Sequence, residues 1–71
     1  MRITYDSEVD ALSIYFREGC EVTTKHVAEG VAIDYDAEER IAAIEILDAR
    51  KRFGDPEVFR KVVLEDVALV R

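Results

Sequence analysis

The chain has 71 residues, of which 49% are apolar and 37% charged, and sixteen acidic against ten basic side chains leave a net charge of −6. A domain this short buries only about 60% of the surface its unfolded chain exposes, so its core is marginal without a staple. The single cysteine, Cys20, excludes an intramolecular disulfide, and with the single histidine, His26, it falls short of the four N/S ligands of a structural zinc site.

Oligomerisation is the remaining staple, and a homodimer is the expected partner state of this one-domain chain (residues 1–71). Met1 to Asp10 lacks the basic stretch and apolar core of a signal peptide. No apolar run approaches the roughly 20 residues that span a bilayer. An unpaired thiol fits a reducing compartment, so a cytoplasmic protein with no membrane partner is expected.

The elements begin with a repeat. Residues 3–16 read ITYDSEVDALSIYF and residues 33–46 read IDYDAEERIAAIEI, with Ile3/Ile33, Tyr5/Tyr35, Asp6/Asp36, Glu8/Glu38 and Ile14/Ile44 identical. Each unit is an apolar run, an acidic turn and a second apolar run, which reads as a β-hairpin. Side chains alternate along a strand, and a one-residue slip would expose the apolar set. That condition places Tyr5 opposite Leu12 and Ile3 opposite Ile14, joined by Ser7 to Asp10. In the second hairpin it places Tyr35 opposite Ala42, Ile33 opposite Ile44 and Val31 opposite Ile46, joined by Ala37 to Arg40. Asp6 and Asp36 precede these turns, where a carboxylate can accept the backbone N–H two residues on.

Between the hairpins, Glu18-Gly19-Cys20 marks a turn, a polar strand follows near 21–28, and Glu29-Gly30 turns the chain again. The expectation is an α+β fold: a five-stranded antiparallel β-meander over residues 1–48, with strands near 2–5, 11–17, 21–28, 31–35 and 41–47. One face would be apolar and the other polar, carrying Asp34 and Glu45, and the apolar face must be covered.

The cover is expected from residues 55–71, as one C-terminal helix packed on that face. Asp55-Pro56-Glu57 has the N-cap, first-position proline and first-turn acid of a helix start, which predicts a helix from about 55 to 65. Phe59, Val62, Val63 and Val67 share a helical face with Val70, and Val58, Leu64, Ala68 and Leu69 widen the apolar surface, so the helix should meet both its own sheet and a partner chain. The β-branched end, Val67 to Arg71, leaves an edge strand as the alternative.

Candidate chemistry is sparse. Asp34 and Glu45 lie diagonally on neighbouring strands and could bind a cation or work as an acid/base pair, but exposed carboxylates are ordinarily solvated. The Asp6, Glu8 and Asp10 turn lacks the glycine and the distal glutamate of a calcium loop. Cys20 and His26 are the available nucleophile and base, with no third group to orient them. No glycine-rich phosphate loop, GxSxG, HExxH or CxxC occurs. No enzyme activity, metal or cofactor is expected.

Charge says more. Residues 1–48 hold four basic and twelve acidic side chains, a net of −8, whereas residues 49–71 hold six basic and four acidic, a net of +2. An acidic sheet repels nucleic acid, and Arg50, Lys51 and Arg52 form the one basic cluster, better suited to neutralising carboxylates or a helix end. A basic protein fits this balance better as a partner.

Tyr5-Asp6-x-Glu8-x-Asp10-Ala11-Leu12-x-Ile14, Gly30-Val31, Asp34-Tyr35-Asp36 and Ile44-Glu45-Ile46-Leu47-Asp48-Ala49 resemble a bacterial and archaeal family, domain of unknown function 2283, over residues 2 to about 52. The resemblance implies a small β-meander protein without an assigned activity. It also implies antitoxin-like partnership in some gene neighbourhoods, and it carries no catalytic residues. Glu39-Arg40 stands where that family often has a turn glycine. Three functions follow in order: a homo-oligomeric protein-interaction module, a ligand-binding or catalytic β-domain using Asp34 and Glu45, and a nucleic-acid accessory using Arg50, Lys51 and Arg52.

Overall fold

The computed structural model describes residues 1–65. Five antiparallel strands form one sheet: β1 (Arg2–Asp6), β2 (Ala11–Tyr15), β3 (Thr23–Ala28), β4 (Val31–Tyr35) and β5 (Ile41–Ile46). A short helix, α1 (Ala49–Phe53), and a single 3-10 turn at Val58–Arg60 follow on the C-terminal side. The fold is therefore α+β with a five-stranded antiparallel sheet, as the periodicity predicts.

The strands do not line up in chain order. Their order is β1-β2-β5-β4-β3, so β2 pairs with β5 and β3 forms the far edge. Polarity explains the departure from a sequential meander. A central strand needs apolar neighbours on both sides, and Leu12 and Ile14 find them in Ile46 and Ile44. Thr23-Thr24-Lys25-His26-Val27-Ala28 is exposed along its whole length, and a polar strand of this kind belongs at an edge. The connection 16–22 must therefore pass the β4–β5 turn, and there the Phe16 and Arg17 N–H groups both donate to the Ala42 carbonyl, at 2.8 and 3.0 Å.

The hairpin registers hold where alternation sets them. Ile3 faces Ile14 and Tyr5 faces Leu12, while Ile33 faces Ile44 and Val31 faces Ile46. Tyr35 lies opposite Ile41 rather than Ala42, because a bulge at Ala42 interrupts the ladder after Asp34. Asp6 and Asp36 close their turns as expected, each accepting a backbone N–H two residues on, from Glu8 and Glu38 at 2.9 Å.

The helix expected over 55–65 lies earlier in the chain. Gly54, at φ +69, ends α1: its N–H reaches the Lys51 carbonyl while the Asp55 N–H reaches the Arg50 carbonyl, both at 3.2 Å. This is a Schellman stop, with basic residues in the last turn and proline just beyond. Asp55 does cap the next turn, accepting the Glu57 N–H at 2.9 Å. That turn is not propagated, since Lys61 is extended and β-branched Val62 and Val63 follow. One turn fixes many dihedrals for few bonds, so it needs a longer favourable run to grow. Val67, and the choice between helix and edge strand for 66–71, lie outside the described residues.

Candidate functional site

Register sorts every strand side chain onto one of two faces. On the first, Ile3, Ile14, Ile44, Ile33 and Lys25 form one row across all five strands, and Tyr5, Leu12, Ile46, Val31 and Ala28 form a second. Lys25 is the single charged side chain in these rows, in a chain that is 37% charged. Its ammonium lies 5.4 Å from the Tyr35 ring centroid.

The face is incompletely covered. Leu12 is its one buried large residue, Ile3 remains 48% exposed, and Ile14, Ile33, Ile44 and Ile46 are half-buried. Cover comes at one end. Phe59 stacks on Tyr5 with ring centroids 4.0 Å apart, and Phe53 meets Phe59 edge-on at 6.1 Å. Beyond Phe59, Val62, Val63 and Leu64 stand 67, 59 and 85% exposed.

Asp10 fixes that end. It sits at φ +54 in the first turn, and its carboxylate accepts the Tyr5 hydroxyl proton at 2.6 Å and the Arg50 N–H at 3.1 Å. The Arg50 Nε lies 3.3 Å away, and the Ala49 N–H donates to the Asp10 carbonyl at 2.9 Å. Asp48, the residue before α1, offers no side-chain cap, so Asp10 caps the helix from forty residues upstream. The Tyr5 hydroxyl, and then the Arg50 N–H, hold this carboxyl below the usual carboxylate range. Burial, with the Asp10 hydrogen bond, raises the Tyr5 phenol.

A second carboxylate organises the other hairpin. The Asp36 side chain, 6% exposed, accepts the Arg40 and Glu38 N–H groups and the Arg40 Nε, each at 2.9 Å, while the Arg17 Nε lies 3.4 Å away. The Arg40 N–H, then that of Glu38, lowers its pKa. A shallow depression of about 430 Å³ opens beside it, lined by Arg17, Glu18, Cys20 and Arg40 among others. Asp36 already pairs there with Arg17 and Arg40, and Glu38 with Arg40.

The opposite face is polar. Asp34 lies across from Ala43 and Glu45 across from Ala32, so the two are diagonal, roughly 7–8 Å apart by strand geometry. Asp34 accepts the Thr24 hydroxyl at 2.5 Å, and Glu45 lies between Ser13 and Ala32. Arg2 spans the β1 end, its guanidinium 4.4 Å from the Tyr15 ring centroid and 2.5 Å from Glu18. Cys20 is exposed on the 16–22 connection, and His26 faces Ala32 on β3. The depressions that Cys20 lines do not include His26. Among the described residues, no three His, Cys, Asp or Glu side chains are grouped to hold a metal ion.

The remaining residues singled out by sequence have separate places. Phe59 belongs to the aromatic cover, while Val62 and Val63 lie on the extended stretch after it. Arg50 is engaged with Asp10, and the Arg52 Nε donates to the Leu47 carbonyl at 2.9 Å. Lys51 is exposed on α1. Asp10 is the organising residue that sequence reasoning missed: the sequence places it in the first turn, but the helix start it caps lies forty residues on.

Among the described residues, no helix is long and apolar enough to cross a membrane. No curated protein and no solved structure matches the chain. A family described as a protein of unknown function (DUF2283) matches residues 2–50, which hold the whole sheet, the Asp10 cap and the start of α1, and the chain belongs to that family.

Proposed function

We propose that this chain is a small acidic protein-interaction module that works in the cytoplasm as a homodimer, its apolar sheet face meeting the same face of a second copy. The observation that carries the reading is the two-row apolar face, left partly open and free of carboxylates in a chain of net charge −6. Two copies of an acidic protein can meet there without opposing their charges. A basic partner would be recognised elsewhere, because the sheet carboxylates lie on the other face and in the turns.

That division supports a second role, in which the dimer presents its acidic turns to a basic, toxin-like protein. The free edges offer less for self-association through β3, since a bulge between His26 and Ala28 and the charge of Lys25 blunt that strand.

Sedimentation or light scattering tests the dimer. A two-chain mass at micromolar concentration is expected, with Ile14→Lys shifting the protein to one chain while its β-sheet circular dichroism persists. A one-chain mass for the unaltered protein at those concentrations sinks the reading. If Ile14→Lys does not fold, Phe16→Lys serves instead, since strand alternation from Ile14 assigns Phe16 to the same side and it is 45% exposed.

A further inference from the structure

Two features of a single chain are left unpaired, and they match. The first is the outer edge of β1. Arg2 to Asp6 runs in unbroken register with β2 and, among the described residues, has no strand on its other side. It carries no bulge, unlike β3 at the opposite edge. The repeat makes β1 the counterpart of β4, whose outer edge is filled by β3, so the vacant side of β1 is the equivalent of an occupied one.

The second feature is the segment Lys61-Val62-Val63-Leu64-Glu65. It begins extended, at φ −142 and ψ 125 for Lys61. Its three apolar residues are exposed, and none of its backbone groups bonds to β1.

Laid antiparallel to β1, the two five-residue segments complement each other at every position. Lys61 faces Asp6 and Glu65 faces Arg2, two opposite-charge pairs, with Val63 beside Thr4 between them on the polar face. Val62 faces Tyr5 and Leu64 faces Ile3, which extends both apolar rows by one strand. Cross-strand pairs of these kinds are the ones that stabilise sheets, and a shift by one residue would turn the valine and leucine to the polar side.

Resting on the homodimer reading, we infer that residues 61–65 of each chain form a sixth strand on the β1 edge of the other copy. Phe59 stacks on Tyr5 and so places the chain over the apolar side of its own sheet, where the partner sheet lies. Packed sheets stand about 10 Å apart, a gap that a few extended residues cross. Area points the same way. Five strands about 4.8 Å apart and five residues long give a footprint of roughly 400 Å², well below the about 800 Å² per partner of a stable interface. Reciprocal strands add the missing apolar surface.

Two single-cysteine chains test the pairing in a Cys20→Ser background, one carrying Thr4→Cys and the other Val63→Cys. Mixed, equilibrated and oxidised, they should give a disulfide-linked species containing one of each chain by mass spectrometry. An unlinked mixture that still has a two-chain mass by light scattering overturns the strand exchange while leaving the dimer intact. A one-chain mass removes the dimer and the exchange together. A chain carrying both Thr4→Cys and Val63→Cys that closes only on itself assigns the strand to its own sheet, and also overturns the exchange. As a second measurement, Arg2→Glu, which alters two pairs in each dimer, should weaken dimerisation about 2- to 30-fold, and Glu65→Arg in the same chain should restore it. Failure of that rescue removes the register.

Discussion

Ile14 and Ile44 face each other directly across β2 and β5, and they are also the same position in the two halves of the repeat. The duplicated hairpins are therefore related by a local two-fold axis through this pair, normal to the sheet. Rotation about it exchanges β1 with β4 and β2 with β5. The duplication builds one apolar face from two copies of a hairpin that has no core of its own. The symmetry fails at the Ala42 bulge and at β3, which covers one hairpin and leaves the other open.

Equivalence at the axis is measurable. Ile14→Val and Ile44→Val should cost the same, within about 0.5–1.5 kcal/mol each, because each deletes one methylene from the same half-buried environment. Away from the axis the costs should part. Ile33 is flanked by strands on both sides and Ile3, 48% exposed, on one, so Ile33→Val should exceed Ile3→Val in a truncated chain ending at Arg60. Urea midpoints of the four variants check this, and unequal losses at positions 14 and 44 would contradict the symmetry.

Asp10 ties the first turn to α1, and Asp10→Ala should lower the melting temperature by more than Asp10→Asn. The asparagine keeps an acceptor for the Tyr5 hydroxyl and the Arg50 N–H and tolerates the left-handed backbone at φ +54. Alanine does neither. Loss of such a cap moves the melting temperature of a domain this size by roughly 4–8 °C. Equal losses for the two variants would mean that the charge, not the capping geometry, holds the helix.

Much of this was legible in the sequence, for reasons that differ by element. The hairpin registers follow from alternation, because one face is apolar and a slip would expose it. Strand order was harder, since a hairpin repeat is compatible with either neighbour for β2. The polarity of Thr23 to His26 was the clue that β3 takes an edge. Gly54-Asp55-Pro56 could be read as a start or a stop, and the basic residues before Gly54 were the sign that a helix ends there. The role of Asp10 is a contact between residues forty apart, which no local pattern reports.

Gly30 closes the two-residue β3–β4 turn at φ +74, and a Cβ there would collide with the Arg52 guanidinium. Gly19 has a similar backbone, at φ +76, with nothing within 4 Å. Gly19→Ala should thus cost only the left-handed strain, about 1–2 kcal/mol. Gly30→Ala should cost more, because Arg52 must also give up its bond to the Leu47 carbonyl. Placing both in an Arg52→Ala chain should bring them level. A gap that persists there would locate the cost in the turn itself.

Acid should dissect the two carboxylate hubs. Asp10 and Asp36 are held below the usual carboxylate range, by the Tyr5 hydroxyl first in one case and the Arg40 N–H first in the other. Near pH 4 the unfolded chain, with ordinary carboxyls, binds more protons than the native one. Their contribution is therefore complete above the ordinary carboxylate pKa of about 4 and is lost as pH falls through their lower native values. Urea midpoints should be level between pH 7 and 5 and fall steeply below 4. Asp36→Asn keeps the turn acceptor but not the charge that draws in Arg17 and Arg40. Its deficit against the unaltered protein should shrink from pH 7 to pH 3, since protonating Asp36 imposes on the unaltered protein the loss that the asparagine already carries. A deficit unchanged over that interval would show that Asp36 acts through shape alone.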